Sequence, residues 1–403
     1  MSKCFGRVAL APRGSCRHCC RAELGGKLPA PVIGLVIGTR PEAIKLAPVA
    51  HALAQRGVRL VLALTGQHPG LAPGDHGLEG YRAVPLGQAG LPDPIEHAER
   101  VAHSLERLWR TAPPALVMVQ GDTSSALGGA RAAVSLGIPL AHVEAGLRTH
   151  DPLQPWPEEG FRVEIDRCAD LLFAPTALSV ENLRAEGCRA TVHITGNTGV
   201  DVLMAELDGK LPRRPRKWRA GSPLRLLVTC HRRESWGERF AEVAAALIEL
   251  AESGRATIEV VLHPNPRVSE AMFALLADRP GIQLVAPLSH GAMLAAMAAA
   301  DLLLSDSGGI QEEAPTMGIP LLVLRDKTER PEALAIGSMR LVGTDRARIV
   351  EEVAALAADP SRLAAMAHPT TVYGDGRAAP RIADLTLAWL DRPNEMPLRE
   401  QGA

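Results

Sequence analysis

Asp306-Ser307-Gly308-Gly309 follows an apolar run and opens a stretch of helical period, so unhindered backbone N–H groups and a hydroxyl face outward at a helix N-terminus. Such an end binds phosphate, because unpaired amides and the helix dipole both favour an anion. Glu313, six positions beyond Ser307, is placed to receive ribose hydroxyls; its alternative is a first-turn carboxylate that complements the dipole. Cations stand at other strand ends. Arg40 lies in the turn after the first apolar run and can reach a diphosphate from the opposite side of a cleft. Lys45, inside the helix that follows, fits that role and a solvated helix face equally well. His231 ends a later run beside Arg232 and Arg233, an electropositive cluster that suits a leaving diphosphate, which His231 could protonate.

Opposed to these cations are Asp122, Glu144 and Glu158, carboxylates near other strand ends, and groups so placed can differ enough in pKa to serve as acid and base. Metal binding is the rival use, but the chain has neither HExxH nor DxD and the three lie far apart, so no metal site is predicted. It also lacks a GxxxxGK[ST] loop and a GxGxxG followed by an acid, which argues against an ATPase and against a nicotinamide-binding unit. The expected anion is a nucleotide diphosphate.

The elements that must hold these residues can be read from periodicity. From Pro31 onward, short apolar runs alternate with Ala/Leu-rich stretches of helical period, the pattern of parallel strands with crossover helices on both sheet faces. The class is α/β. Strands are predicted at Val32 to Ile37, Leu60 to Leu64, Leu116 to Val119, Pro139 to Val143, Leu171 to Ala174 and Thr191 to Ile194. Thr39 and Glu42 have capping-box spacing before a helix from Ala43 to about Gln55, and Pro41 suits its first turn. A basic, Pro-rich segment from Leu211 to Pro223 reads as an exposed connection. A second series follows at Leu224 to Val228, Ile258 to Leu262, Ile282 to Val285, Leu302 to Leu304 and Pro320 to Leu324. Two doubly wound halves leave a cleft between them, and parallel sheets bind ligands beyond the carboxyl ends of their strands, where all the residues above fall.

Composition limits the partners. The chain has 403 residues, with 44 Lys and Arg against 45 Asp and Glu, so no net field draws it to nucleic acid or an anionic membrane. Only 3% of residues are aromatic, too few for base-stacking platforms. The best apolar stretch, Ala292 to Leu304, is short of the roughly 18 residues of a span and carries Asp301, so a soluble protein is expected. Met1 to Ala30 has no signal-peptide core and reads as a disordered extension. Cys16, Cys19 and Cys20 with His18 could be half of a zinc site, but no second pair follows at ribbon spacing. The remaining Cys168, Cys188 and Cys230 are scattered, as in a reducing cytoplasm.

Several of these motifs together resemble the non-hydrolysing UDP-N-acetylglucosamine 2-epimerases: Gly38-Thr39-Arg40-Pro41-Glu42-Ala43-Ile44-Lys45, Gln120-Gly121-Asp122-Thr123, His142 to Thr149, Pro155 to Glu159, His231 to Glu234, Asp306 to Glu313, Thr328 to Glu332 and Tyr373 to Gly376. The resemblance runs in order from about Val32 to Ile382. It implies two Rossmann-like domains of the glycosyltransferase-B type, 31–205 completed by 375–392 and 206–374, and a cytoplasmic homodimer feeding polysaccharide synthesis without a redox cofactor. It further implies Asp122, Glu144, Glu158 and His231 as catalytic residues. Arg40, Lys45, Ser307, Gly308, Gly309, Glu313 and Arg330, with Leu288 along the uracil, would hold the UDP-sugar beside Asp122, Glu144 and His231. The chain departs from the family at Pro69 to Gly74, a turn-rich break where bacterial members contact a second, activating UDP-sugar, and at Phe161, Ser235, His290 and Met293. The alternatives are a hydrolysing epimerase that releases N-acetylmannosamine, a glycosyltransferase, and a catalytically silent UDP-sugar binder.

Overall fold

The computed structural model describes residues 30–211, 222–230, 237–263 and 265–392. The extension through Pro29, the basic connection at 212–221 and His231 to Glu234 lie outside the described residues, as does Ser235.

The first sheet has seven parallel strands: β1 Val32–Ile37, β2 Arg59–Leu64, β3 Arg82–Pro85, β4 Leu116–Gln120, β5 Leu140–Val143, β6 Leu171–Ala174 and β7 Thr191–Ile194. Their order is β3-β2-β1-β4-β5-β6-β7. Six helices accompany them: α1 Arg40–Gln55, α2 Pro94–Thr111, α3 Ser124–Ser135, α4 Glu158–Cys168, α5 Ala177–Ala185 and α6 Thr198–Glu206. The second sheet has six strands in the order β10-β9-β8-β11-β12-β13: β8 Leu224–Thr229, β9 Ala256–Val261, β10 Ile282–Val285, β11 Leu302–Ser305, β12 Leu321–Val323 and β13 Met339–Leu341. Its helices are α7 Glu238–Glu252, α8 Pro266–Leu276, α9 His290–Ala299, α10 Gly308–Met317, α11 Glu332–Ala335, α12 Arg346–Ala358 and α13 Pro360–Met366. A last helix, α14 Ala378–Leu390, ends the described chain.

Both faces of each sheet are covered, which is why the central strands read as unbroken apolar runs. On the first sheet, Leu35, Leu62, Met118 and Phe173 pack with Leu46 and Val49 of α1 and with Ile382 and Ala383 of α14. Val36, Val119 and Leu172 pack on the other face with α2, α3, α4 and α5. On the second sheet, Leu226, Val228 and Leu304 meet Leu247, Met272 and Ile349, while Leu227, Leu303 and Val323 meet α9, α10 and Val200 and Leu203 of α6. Two edge strands escape the sequence reading. β3 is four mostly exposed residues ending at Pro85, and β13 is three residues long, so neither offers an apolar run of recognisable length.

Strand order reverses beside β1 and β4 in the first sheet and beside β8 and β11 in the second. The crevices opened there are where doubly wound sheets take ligands. The first holds the Gly38-Thr39 and Gly121-Asp122 turns, the second Asp306-Ser307. Asn197 N donates to Tyr373 O at 2.7 Å, where the segment that enters α6 meets the segment that leads to α14. Gly374 has φ 125°, and a Cβ there would lie 3.1 Å from Gly196 Cα.

The turn after β1 depends on close approach. A Cβ on Gly38 would stand 1.8 Å from Ser125 Oγ and 2.6 Å from Ser125 Cβ. Gly38→Ala is therefore expected to lower the unfolding free energy by about 1–3 kcal/mol through overpacking, read as a lower urea midpoint; an unchanged midpoint would contradict this packing.

Candidate active site

Glu42 builds the first crevice. Its buried carboxylate accepts hydrogen bonds from Gly38 N at 2.9 Å, Thr39 N at 2.6 Å and Thr39 Oγ1 at 2.8 Å, completing the predicted capping box. It also accepts one from Thr123 Oγ1 at 2.6 Å, which ties the β1 turn to the β4 turn. Burial pushes the Glu42 carboxyl above the usual carboxylate range, against the hydrogen bonds that lower it. Arg40 begins α1 with an exposed side chain, and its amide donates to His68 Nδ1 at 3.3 Å.

Glu144 follows β5 with φ 71°, a left-handed conformation that is uncommon for a side-chain-bearing residue and is found where function constrains the backbone. Its carboxylate accepts from Gln120 Nε2 at 2.7 Å and Lys45 Nζ at 2.7 Å, and from Arg330 Nη2 of the second half at 2.9 Å. Lys45 also pairs with Glu312 at 3.0 Å, and Arg330 Nε donates to Glu312 at 2.6 Å. Arg330 further pairs with Glu329, which Arg325 holds at 3.0 Å. Desolvation would discharge Lys45, but Glu144 and Glu312 outweigh it and hold its pKa above the ordinary value; Arg330 is likewise held charged against burial by Glu312, Glu329 and Glu144. The solvated-face reading of Lys45 is thus corrected: the side chain is only 12% exposed and is ion-paired.

Asp122 sits in the β4 turn, 29% exposed, and accepts from Arg162 of α4, whose Nε lies at 3.1 Å. Arg162 Nη1 also donates to Glu159 at 2.6 Å, and Glu159 accepts the amides of Thr149 and His150 at 3.0 Å each. Glu158, half-buried, is the first residue of α4, one turn before Arg162. The structure therefore links Asp122 to the helix that carries Glu158, and Gln120 links the β4 end to Glu144.

In the second half, Ser307 is the half-buried N-cap of α10 and its hydroxyl makes no capping bond; Gly308 is buried and Gly309 half-buried. Glu313 accepts from His290 Nε2 at 2.8 Å. Leu288 and Met293 are half-buried against the second-half core, while Phe161 lies in the first-half core at 6% exposure. His231 falls outside the described residues. Among those described, no three His, Cys, Asp or Glu side chains gather as metal ligands would. A cavity of about 430 Å³ bounded by Arg225, Thr257 and Gln283 lies at the amino ends of β8, β9 and β10, the wrong end of a parallel sheet for these motifs. Sequence reasoning did not single out Gln120, Glu159, Arg162, Glu312 or Glu329. The spacing of Glu158, Glu159 and Arg162 along one helix was the available signal for two of them.

Comparison with known proteins places this geometry in context. A family model described as UDP-N-acetylglucosamine 2-epimerase matches residues 51–387. The UDP-N-acetylglucosamine 2-epimerase of Escherichia coli K12 is 40% identical over 365 residues, covering 87% of this chain and 96% of that protein. The UDP-GlcNAc 2-epimerase of Neisseria meningitidis, solved with UDP-GlcNAc, superposes with a TM-score of 0.80 at 34% identity over 89% of this chain and 100% of that one. A Staphylococcus aureus co-structure with UDP gives 0.76 at 31% identity, covering 91% and 99%. Among the described residues no helix is long and apolar enough to cross a membrane.

The hydrogen bond to Glu313 raises the His290 pKa above the ordinary imidazole value, with burial opposing it. A raised folded-state pKa contributes stability that is complete below the unfolded value of about 6.5 and is lost as pH rises through the folded value. Urea unfolding across neutral pH should show this loss in the wild type and a flatter profile in Glu313→Gln; parallel profiles would contradict the pairing.

Proposed function

The chain belongs to the UDP-N-acetylglucosamine 2-epimerase family, and from that membership we propose that it interconverts UDP-N-acetylglucosamine and UDP-N-acetylmannosamine by expelling and recapturing UDP. A base takes the C2 proton, the C1–O bond breaks with its electron pair leaving on the diphosphate, and a C1=C2 double bond forms, giving 2-acetamidoglucal and UDP. The diphosphate oxygen then adds back to C1 while C2 is protonated on the opposite face. The carbon skeleton returns to its starting oxidation state, so the route calls for no redox cofactor.

The C2 proton is not acidified by a carbonyl, so cleavage of C1–O must run ahead, and the site must stabilise a cationic ring beside an anionic leaving group. Asp122, Glu144 and Glu158 serve the ring and the proton transfers in this reading. Arg40, Lys45, Arg330 and the Ser307-Gly308-Gly309 helix end serve the diphosphate, with His231 assisting departure, Glu313 receiving the ribose and Leu288 lying along the uracil. The observation that carries the reading is the meeting of Glu144 with Lys45 and Arg330 between the two crevices. Glu144 lies 2.7 Å from Lys45 Nζ and 2.9 Å from Arg330 Nη2, so a diphosphate that displaces Glu144 and Glu312 from the cations releases Glu144 toward the sugar. The halves 31–205 with 375–392, and 206–374, would act as carboxylate and diphosphate carriers. A homodimer in the cytoplasm completes the proposal.

Proton NMR with UDP-N-acetylglucosamine in deuterated water tests this. Loss of the C2 proton with growth of UDP-N-acetylmannosamine is expected; free N-acetylmannosamine would instead assign the hydrolysing reaction, and no change would leave a silent binder. Asp122→Asn should retain UDP binding while turnover falls at least about 100-fold, the scale of a lost acid–base group. Undiminished turnover would remove Asp122 from the mechanism.

A further inference from the structure

His142 is fully buried on β5, two residues before Glu144. Its Nδ1 lies 2.6 Å from Asp166 Oδ1 and its Nε2 2.8 Å from Gly121 O. Both neighbours are acceptors, a carboxylate and a carbonyl, so the two bonds are made together only by a ring that carries both protons. Asp166 belongs to α4 and is itself fully buried. Its other oxygen accepts from Gly146 N at 3.0 Å and pairs with Arg148 at 2.8 Å, and Arg148 reaches on to Glu186 at 2.7 Å.

We propose that His142 is a positioning residue for the epimerisation: through Asp166 it clamps the Gly121-Asp122 turn, the Glu144-to-Gly146 turn and the helix that begins at Glu158 into one unit. The inference rests on the epimerase reading above. The bond from His142 Nε2 to the Gly121 carbonyl fixes the residue before Asp122, and the bond from Gly146 N to Asp166 fixes the turn two residues after Glu144; His142 Nδ1 joins the two by meeting Asp166, two turns along the helix from Glu158. Within the cluster Asp166 pairs with Arg148, and Arg148 with Glu186. Apolar side chains of similar volume would fill the same space without the desolvation that such a cluster costs. What the cluster adds is a fixed distance among three carboxylates borne on segments that are otherwise separate in sequence. Burial alone would raise the Asp166 carboxyl, yet His142 and Arg148 hold it below the usual range, in keeping with a charged clamp.

The test compares His142→Phe, which has no donor, with His142→Gln, which keeps one, in the full chain. His142→Phe is expected to lower kcat about 10- to 100-fold, the cost of misplacing reacting groups by a fraction of an ångström to an ångström, while KM for UDP-N-acetylglucosamine and UDP affinity change less than about 3-fold. His142→Gln should recover part of the kcat. A folded His142→Phe protein with unchanged kcat overturns the proposal, as does a loss confined to KM. Should neither variant fold, nitrogen-15 NMR of the wild-type histidine ring decides: two protonated nitrogens are expected, and a single one overturns the clamp. A wild-type protein inert toward UDP-sugar would sink the epimerase reading instead, and the ring signature would still test the clamp.

Discussion

Lys45, Arg325 and Arg330 stand against Glu144, Glu312 and Glu329 where the two sheets face each other, all six half-buried or buried. Ions withdrawn from water are tolerable only when paired, and removing one member of such a set typically costs about 3–5 kcal/mol because its partner is left uncompensated. Here positive and negative members balance one for one, and the bonds run from β5 and α1 of one half to α10 and the segment after β12 of the other. The same pairing that stabilises the contact keeps Lys45 and Arg330 from discharging, since both are held above their ordinary pKa by carboxylates that outweigh desolvation. The diphosphate of the proposed substrate would meet cations that are already ionised.

The topology explains why these charges can meet at all. Each half reverses its strand order once, and each reversal leaves the carboxyl ends of two adjacent strands unroofed. Turns at those ends carry Gly38, Asp122 and Asp306, with Glu144 in the turn after the next strand. Glu42 and the His142–Asp166 pair lock the first-half turns from behind. The second half contributes the N-terminus of α10, whose field needs no side chain to favour an anion. In the proposed reaction opposite charges develop on ring and leaving group when C1–O breaks, and the two halves would supply the complementary groups from opposite sides.

Much of this was legible in the sequence because it is local. The Thr39–Glu42 capping box needs only three-residue spacing, and Asp306 to Gly309 needs only a preceding apolar run. Central strands such as β1 and β6 announce themselves by being apolar on both faces. The edge strands β3 and β13 do not, since an edge is half-solvated and short. Ion pairs between residues far apart in the chain leave no trace in spacing: Lys45 with Glu312 and Arg330 with Glu144 had to be seen folded. The same holds for Arg162, whose bond to Asp122 depends on where α4 crosses the β4 turn. Phe161 shows the reverse error of emphasis, a departure from the family pattern that turns out to fill the core.

The account stands or falls on whether the bond between the sugar and its diphosphate breaks during turnover. UDP-N-acetylglucosamine carrying a heavy oxygen isotope in the bridge between C1 and the diphosphate puts that question directly to the purified protein. Migration of the label into non-bridging positions on the recovered nucleotide sugar, at a rate comparable with epimerisation, is the predicted result. Epimerised product that retains the label wholly in the bridge would contradict it.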